Sequence, residues 1–462
     1  MQVATNGNVS FWYAQMGGTP SYRAPLTEDM DVDVCIIGAG FTGLWTAYYL
    51  MLARPSLRVA LIEQQFAGFG ASGRNGGWCT GSFGWKRERY VQGTNRDGLI
   101  ALETQLRGTV DEILRVAKAE GIDADIRRTD CVTYACSPAQ MRRLKVEHDT
   151  ALRWDVPAER VALIGTDEAK ARIKIANAHG ALVERGGARV QPAKLVRGLA
   201  AAVERKGACI YEQTTVEGIA PGLVTTDRGF VRADRIICAT EGFTAGIPGH
   251  RRKWLPLNSA QIVTAPLPAA LWDSIGWTRY EMLGDASHAY CYAQRTADGR
   301  IAMGGRGVPY RFGSRTDRRG ETQTATIEAL AAILHRLLPQ TRSVALEHAW
   351  CGVLGVPRDW CATVGLDPQT GIGWAGGYVG IGVSTSNHAG RTLADLILEQ
   401  HTERTGMPWV GRTPRNWEPE PLRWLAVHGM YHLYHLADKR EAAGTGHSTS
   451  RLARLADWIT QR

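Results

Sequence analysis

The stretch Asp33-Val34-Cys35-Ile36-Ile37-Gly38-Ala39-Gly40-Phe41-Thr42-Gly43 decides how the chain is read. Its apolar run, Val34 to Ile37, is too short for a helix and suits a parallel strand covered on both faces. Gly38 permits a sharp turn after that strand, and Gly40 lets the backbone approach a pyrophosphate. Gly43 lets the following helix pack closely on the strand. That helix, expected over residues 44–53, aims its N-terminal amides and positive dipole end at phosphate oxygens.

Beyond that helix, Arg58-Val59-Ala60-Leu61-Ile62-Glu63 reads as the next strand. It ends in an acid about 20 residues past the last glycine, where a Rossmann unit hydrogen-bonds ribose hydroxyls. An acid there repels a 2′-phosphate and so argues against NADP. The stretch implies a bound dinucleotide, with NAD and FAD equally compatible.

At 462 residues the chain exceeds one compact core, so two domains with an appendage are expected. Hydrophobic residues at 44% and charged residues at 21% describe an ordinary globular protein. The net charge of +9 is scattered rather than blocked, which disfavours nucleic acid and suits an anionic cofactor. Nine cysteines, an odd number and several in strand-like runs, read as reduced thiols in a cytoplasmic protein. None has partners at zinc-ligand spacing, so no metal site is expected. The N-terminus lacks the basic start and apolar core of a signal peptide, and no apolar run is long enough to span a bilayer. No membrane association is expected.

Residues 1–30 read as an arm whose Phe11-Trp12-Tyr13 packs on the body. The glycine-dense run from Gly68 to Trp78 reads as a loop without regular structure. Leu102, Leu106, Val110, Ile113, Leu114 and Ala117 recur at helical spacing. Pro192 starts a helix that runs to Arg205, and Gly207 stops it. Asp227-Arg228-Gly229 is a hairpin turn, and Arg235 to Thr240 is a second buried strand ending in a polar and glycine turn. The Asp298-Gly299 turn into Arg300-Ile301-Ala302-Met303 signals an antiparallel hairpin. A further glycine turn, Gly376-Gly377-Tyr378-Val379-Gly380-Ile381-Gly382, precedes a helix expected over residues 389–398, and residues 405–462 read as two helices capping the body.

In order, residues 33–43, Glu63, Ser72-Gly73-Arg74-Asn75-Gly76-Gly77, Ala239-Thr240-Glu241-Gly242 and residues 376–382 resemble the D-amino acid oxidase and glycine oxidase superfamily of FAD-dependent oxidoreductases. The nearest branch is the gamma-glutamylputrescine oxidase-like proteins, and the resemblance spans residues 20–400. It implies an α/β fold: a Rossmann-type FAD-binding domain with an inserted antiparallel β-sheet substrate domain and a C-terminal helical extension. The expected division is an arm at 1–30, a discontinuous FAD-binding domain at 31–100, 150–250 and 346–400, a substrate domain at 101–149 and 251–345, and the extension at 401–462.

The resemblance places Gly38, Gly40, Phe41, Thr42 and Gly43 at the FAD pyrophosphate and Glu63 at the adenosine ribose. Ser72, Arg74, Asn75, Gly76 and Gly77 line pyrophosphate and flavin, with Arg74 offering a planar donor fork for phosphate. Val216 meets the adenine through its backbone, Thr240 and Gly242 join the cofactor set, and Gly377, Gly380, Ile381 and Gly382 sit at the flavin's pyrimidine edge. The helix after that turn points its N-terminus where negative charge grows on reduction. Cys351 aligns with the region where sarcosine oxidases attach flavin through a thioether, which leaves open a covalent link or a buried free thiol.

The implied reaction is oxidation of a C–N bond of an amine or amino acid, giving an imine that hydrolyses, with O2 or another acceptor reoxidising the cofactor. An aromatic wall suits a cationic amine, and His288, Tyr290 and Tyr292, expected on one face of a strand, are the substrate-side candidates together with Arg306. The segment Arg300 to Met303 carries no lysine where sarcosine-type oxidases carry one that assists oxygen. A dehydrogenase with another acceptor, a C–O substrate, and a flavin-bearing subunit without turnover therefore stay open.

Overall fold

The computed structural model describes residues 3–91, 96–305, 310–317, 319–443 and 450. In chain order, β1 (Thr5–Asn6) and α1 (Phe11–Ala14) precede β2 (Met30–Ile37), α2 (Phe41–Ala53), β3 (Val59–Ile62) and β4 (Trp78–Cys79). Then come α3 (Arg96–Ala119), β5 (Arg127–Ala135), α4 (Pro138–Arg153), β6 (Val161–Ile164), α5 (Thr166–Arg172), β7 (Gly180–Arg189), α6 (Pro192–Arg205), β8 (Cys209–Tyr211), β9 (Val216–Ala220), β10 (Leu223–Thr226) and β11 (Gly229–Cys238). The last part holds β12 (Leu255–Thr264), α7 (Ala269–Ile275), β13 (Met282–Asp285), β14 (Cys291–Arg295), β15 (Ile301–Gly305), α8 (Thr324–Leu337), β16 (Leu346–Val356), β17 (Thr363–Leu366), β18 (Ile372–Gly376), α9 (Gly382–Ile397) and α10 (Leu422–Ala443).

The opening stretch is the centre of the first sheet, ordered β17-β18-β11-β2-β3-β8, with β9 and β10 as a ribbon on β11. From β18 to β8 the strands are parallel. Val34 and Ile36 face a core built with α2, α3, α6 and α9, while Cys35 and Ile37 face the opposite side, with Val224 of the ribbon and Val231 of β11. Two buried faces explain the unbroken apolar run. Each such side chain contributes about 1.5–3 kcal/mol of burial.

The second sheet runs β1-β16-β12-β15-β14-β13-β5-β7-β4, with β6 on β7, and is antiparallel apart from the pairs β1–β16 and β13–β5. The expected α/β architecture of a parallel nucleotide sheet joined to an antiparallel one is the one found. The hairpins expected at Asp227-Arg228-Gly229 and Asp298-Gly299 are present as β10–β11 and β14–β15.

Three elements differ from expectation. The 68–78 loop contains a 3-10 turn, Ala71–Gly73, and its Trp78 opens β4, which pairs with β7. Helix α9 starts at Gly382, seven residues earlier than expected, because Val383 to His388 are polar or small yet buried, and helical periodicity is hard to read through them. Of the two helices expected in residues 405–462, α10 is described; residues 451–462 lie outside the described ones. The aromatics of the arm, Phe11, Trp12 and Tyr13, are buried as expected.

Candidate functional site

An elongated cavity of about 1040 Å³ lies along the junction of the two sheets and receives the ends of β2, β3, β11 and β18. At its near end Gly38 turns with φ +100°, and a Cβ there would stand 2.8 Å from the Ala239 carbonyl oxygen. A Cβ on Gly43 would stand 2.1 Å from the Gly38 oxygen, so only glycine lets α2 begin this close to its strand. The first-turn amides of α2 have no partners within the helix, and its positive dipole end faces the cavity. Glu63 follows β3, accepting from Ala39 N at 2.9 Å and Gln65 N at 2.9 Å. Burial pushes its carboxyl above the ordinary range.

Ser72 Oγ accepts from Phe41 N at 2.8 Å and so ties the 68–78 loop to the start of α2. Asn75 closes the same loop, donating to Ser72 O at 2.8 Å and accepting from Gly77 N at 2.7 Å. Arg74 corrects an expectation. Its guanidinium lies over the Phe69 ring at 4.2 Å, with Nε donating to Phe69 O at 2.7 Å and Nη1 to Cys351 O at 3.3 Å. The donor fork expected to meet phosphate instead braces this loop against β16, in a pocket where burial lowers its pKa.

At the far end, the turn after β18 is gripped by Glu241, which has φ +45°. Its carboxylate accepts from Gly377 N at 2.9 Å, Tyr378 N at 3.2 Å and Gly355 N. Burial pushes its pKa up to about 7. Sequence reasoning missed this role for Glu241; a lone acid inside a glycine turn was the available signal. Tyr378 hydroxyl lies 2.8 Å from Thr42 Oγ1, joining the far turn to α2. The N-terminal turn of α9 then points its dipole into the cavity beside Gly380, Ile381 and Gly382.

The cavity wall includes Gly38, Gly40, Phe41, Thr42, Glu63, Ser72, Arg74, Asn75, Gly76, Val216, Thr240, Gly380, Ile381 and Gly382 from the expected cofactor set. Gly43, Gly77, Gly242, Gly377 and Cys351 stand behind it and serve packing. For Cys351 this is a correction. It points from β16 into the core beneath the second sheet, its thiol donates to Glu321 O at 3.2 Å, and burial pushes its pKa up to about 11. A thioether needs a thiolate at the cavity surface, and this thiol is buried away from that surface.

The substrate-side candidates are redistributed. His288 and Tyr290 precede β14 in a turn, so with Tyr292 they do not share one strand face. Tyr292 lies against Gly76, where a Cβ would come within 2.6 Å of its ring, and its hydroxyl is 2.9 Å from Ser259 Oγ. Tyr290 hydroxyl is 3.4 Å from where a Cβ of Gly380 would be. His288 turns instead to Glu441, at 3.0 Å, and its ring stacks on Tyr434 with centroids 6.0 Å apart. Arg306 lies outside the described residues. His288, Asp438 and Glu441 are close enough to hold a metal ion, but the Arg143 guanidinium, 2.7 Å from Glu441, already supplies the positive charge.

Sequence reasoning also missed Glu147 and Glu184. Both line this cavity and a second one of about 500 Å³ that shares part of its wall. Desolvation and the Glu184 charge push Glu147 up to about 7, and burial raises Glu184. The two come from α4 and β7, so no sequence spacing announces the pair.

A long cavity between two helix N-termini, with an acid at the ribose position, fits a dinucleotide that carries a redox group at its far end. The chain belongs to the FAD dependent oxidoreductase family, whose profile matches residues 33–396. It is thus an FAD-dependent oxidoreductase. It is 27% identical over 401 residues to the gamma-glutamylputrescine oxidoreductase of Escherichia coli, covering 84% of this chain and 89% of that protein. The glycine oxidase of Geobacillus kaustophilus superposes with a TM-score of 0.66 at 21% identity, covering 80% of this chain and 96% of that one. The L-proline dehydrogenase of P. horikoshii superposes with a TM-score of 0.67 at 18% identity, covering 83% and 96%.

Proposed function

We propose that this enzyme oxidises the C–N bond of an amine or amino acid, releasing an imine that hydrolyses, with O2 reduced to H2O2. The observation that carries this reading is the far chamber, where Tyr290 stands beside the Gly380 turn, Tyr292 lies against Gly76, and Glu147 and Glu184 supply carboxylates. Aromatic faces and carboxylates both favour a cationic amine. Relatives named for gamma-glutamylputrescine and glycine support the same class of substrate.

FAD, when bound, supplies the two-electron acceptor. The chain supplies grip and field. The α2 N-terminus and the 38–43 turn hold pyrophosphate, and Glu63 holds the ribose. The α9 N-terminus stabilises negative charge at the far end of the cofactor. Tyr290 and Tyr292 orient the substrate and keep water from it, which favours the neutral amine that can be oxidised. The ammonium gives its proton to water on entering the chamber, so no strong protein base is required.

A second reading, a dehydrogenase with another acceptor, is favoured by one observation: β15 carries no lysine. Anaerobic mixing with polyamines, N-methyl amino acids, D-amino acids and aminophosphonates tests the main reading by bleaching of the flavin absorption. Bleaching by at least one member, with one H2O2 formed per turnover in air, is expected. A flavin that no amine bleaches sinks the proposal, and bleaching without peroxide selects the dehydrogenase.

A further inference from the structure

The family profile ends at residue 396, and α10 lies beyond it at Leu422–Ala443. Even so, α10 reaches the cavity. Tyr434, only 5% exposed, forms part of the chamber wall. One helical turn on, Asp438 accepts from the backbone amides of His288 at 2.8 Å and Ala289 at 2.9 Å. Glu441 takes His288 Nε2 at 3.0 Å and Arg143 at 2.7 Å. Arg143 in turn donates to Ala286 O at 2.7 Å. The spacing of 434, 438 and 441 puts all three on one helix face. That face grips the whole 286–290 turn, and the turn carries Tyr290 to the Gly380 turn.

We propose that α10 is the specificity wall of the active site. Tyr434 contacts the substrate, and Asp438 and Glu441 are positioning residues that act through the 286–290 turn to set Tyr290. The inference rests on the reading of this chamber as the substrate site. A charged pair with a buried stack is a costly way to hold a mere cap, since an apolar contact would serve stability as well. Its directionality instead fixes one geometry of the turn.

The test uses the full-length holoenzyme and linear α,ω-diamines of increasing length as probes. The Kd and the limiting rate of anaerobic flavin reduction are read for each diamine, together with acrylamide quenching of flavin fluorescence. In Tyr434→Ala the Kd of the best diamine should rise about tenfold and the preferred length should shift upward, as expected when a wall side chain is removed. Acrylamide quenching should become about threefold steeper as the chamber opens. In Asp438→Asn the limiting rate should fall about tenfold with little change in Kd, because a misplaced Tyr290 affects orientation more than affinity. Leu425→Ser, on the exposed side of α10 at 56% exposure, should leave all three readouts unchanged. Unaltered length preference and unaltered quenching in Tyr434→Ala overturn the proposal, as does an Asp438→Asn enzyme with wild-type kinetics. If neither a diamine nor any other member of the amine and amino acid panel reduces the wild-type flavin, the amine reading fails separately, while the quenching comparison still decides whether α10 walls the chamber.

Discussion

Glu147, an exposed acid on the cavity wall, carries the pH dependence expected for a cationic amine. Its pKa of about 7 arises from desolvation and the neighbouring Glu184 charge, so it is neutral below that pH and anionic above it. Because this value lies above that of the unfolded chain, the protonated form is the one the fold favours. Its contribution to stability is present below the ordinary acid range and is lost as pH rises to about 7. Binding has the opposite sign, since only the carboxylate attracts an ammonium. The Kd of a cationic amine should fall about tenfold between pH 6 and pH 8, and Glu147→Gln should flatten that profile, as titration of the flavin absorption change would record. Lys86 is the lysine on the cavity wall among the described residues, two positions after Gly84, where a Cβ would lie 3.3 Å from Ile381. A cation there favours the charge that accumulates as O2 is reduced. Lys86→Met should slow reoxidation in air about a hundredfold while leaving anaerobic reduction unchanged; equal rates in stopped-flow would remove Lys86 from the oxygen step.

At the scale of elements, the arm is built into the site. Thr5–Asn6 pairs with β16, and Trp12, only 1% exposed, donates from Nε1 to Asn75 O at 2.8 Å. Trp12→Ala removes a buried aromatic and leaves the Asn75 oxygen unmet, so a loss of about 3–5 kcal/mol is expected. Thermal unfolding of the holoenzyme would measure it, and flavin should be released at lower temperature. The elements differ in how openly the sequence displays them. β2, α2, β3 and α6 are legible because glycine, proline and buried apolar runs mark their ends. The start of α9 is not, since its first turns are buried through small polar residues that carry no amphipathic stripe. The strand face assigned to His288, Tyr290 and Tyr292 was misread for a related reason: alternation in a short window does not distinguish a strand from a turn pinned by a distant helix. Asp438 and Glu441 do that pinning from 150 residues downstream, beyond the reach of local pattern.

Across the whole molecule, the fingerprint positions were readable because backbone geometry forces them, as with Gly38 and Gly43. The chamber was not, because its side chains come from α4, β7, β14 and α10 and meet only after both sheets form. The cavity lies between those sheets, so cofactor and fold are coupled. Ligand at about a hundred times its Kd adds about 2.7 kcal/mol to stability. Removing FAD should therefore lower the midpoint of thermal unfolding by several degrees, and adding FAD back should restore it in proportion to the logarithm of its concentration. An apoprotein with an unchanged midpoint would contradict this coupling.

The bond between Thr42 and Tyr378 makes one ruler of two helix ends. Gly390 lets α9 lie directly on the backbone of α2, where a Cβ would stand 2.8 Å from Thr46 N, so the ruler is stiff. It holds the two ends at a fixed separation along the cavity wall. On the function proposed above, FMN, lacking the adenylate half, would reach the far turn yet leave the Glu63 end of the cavity empty. On that reading the choice of cofactor is set by length, before any recognition of the isoalloxazine ring.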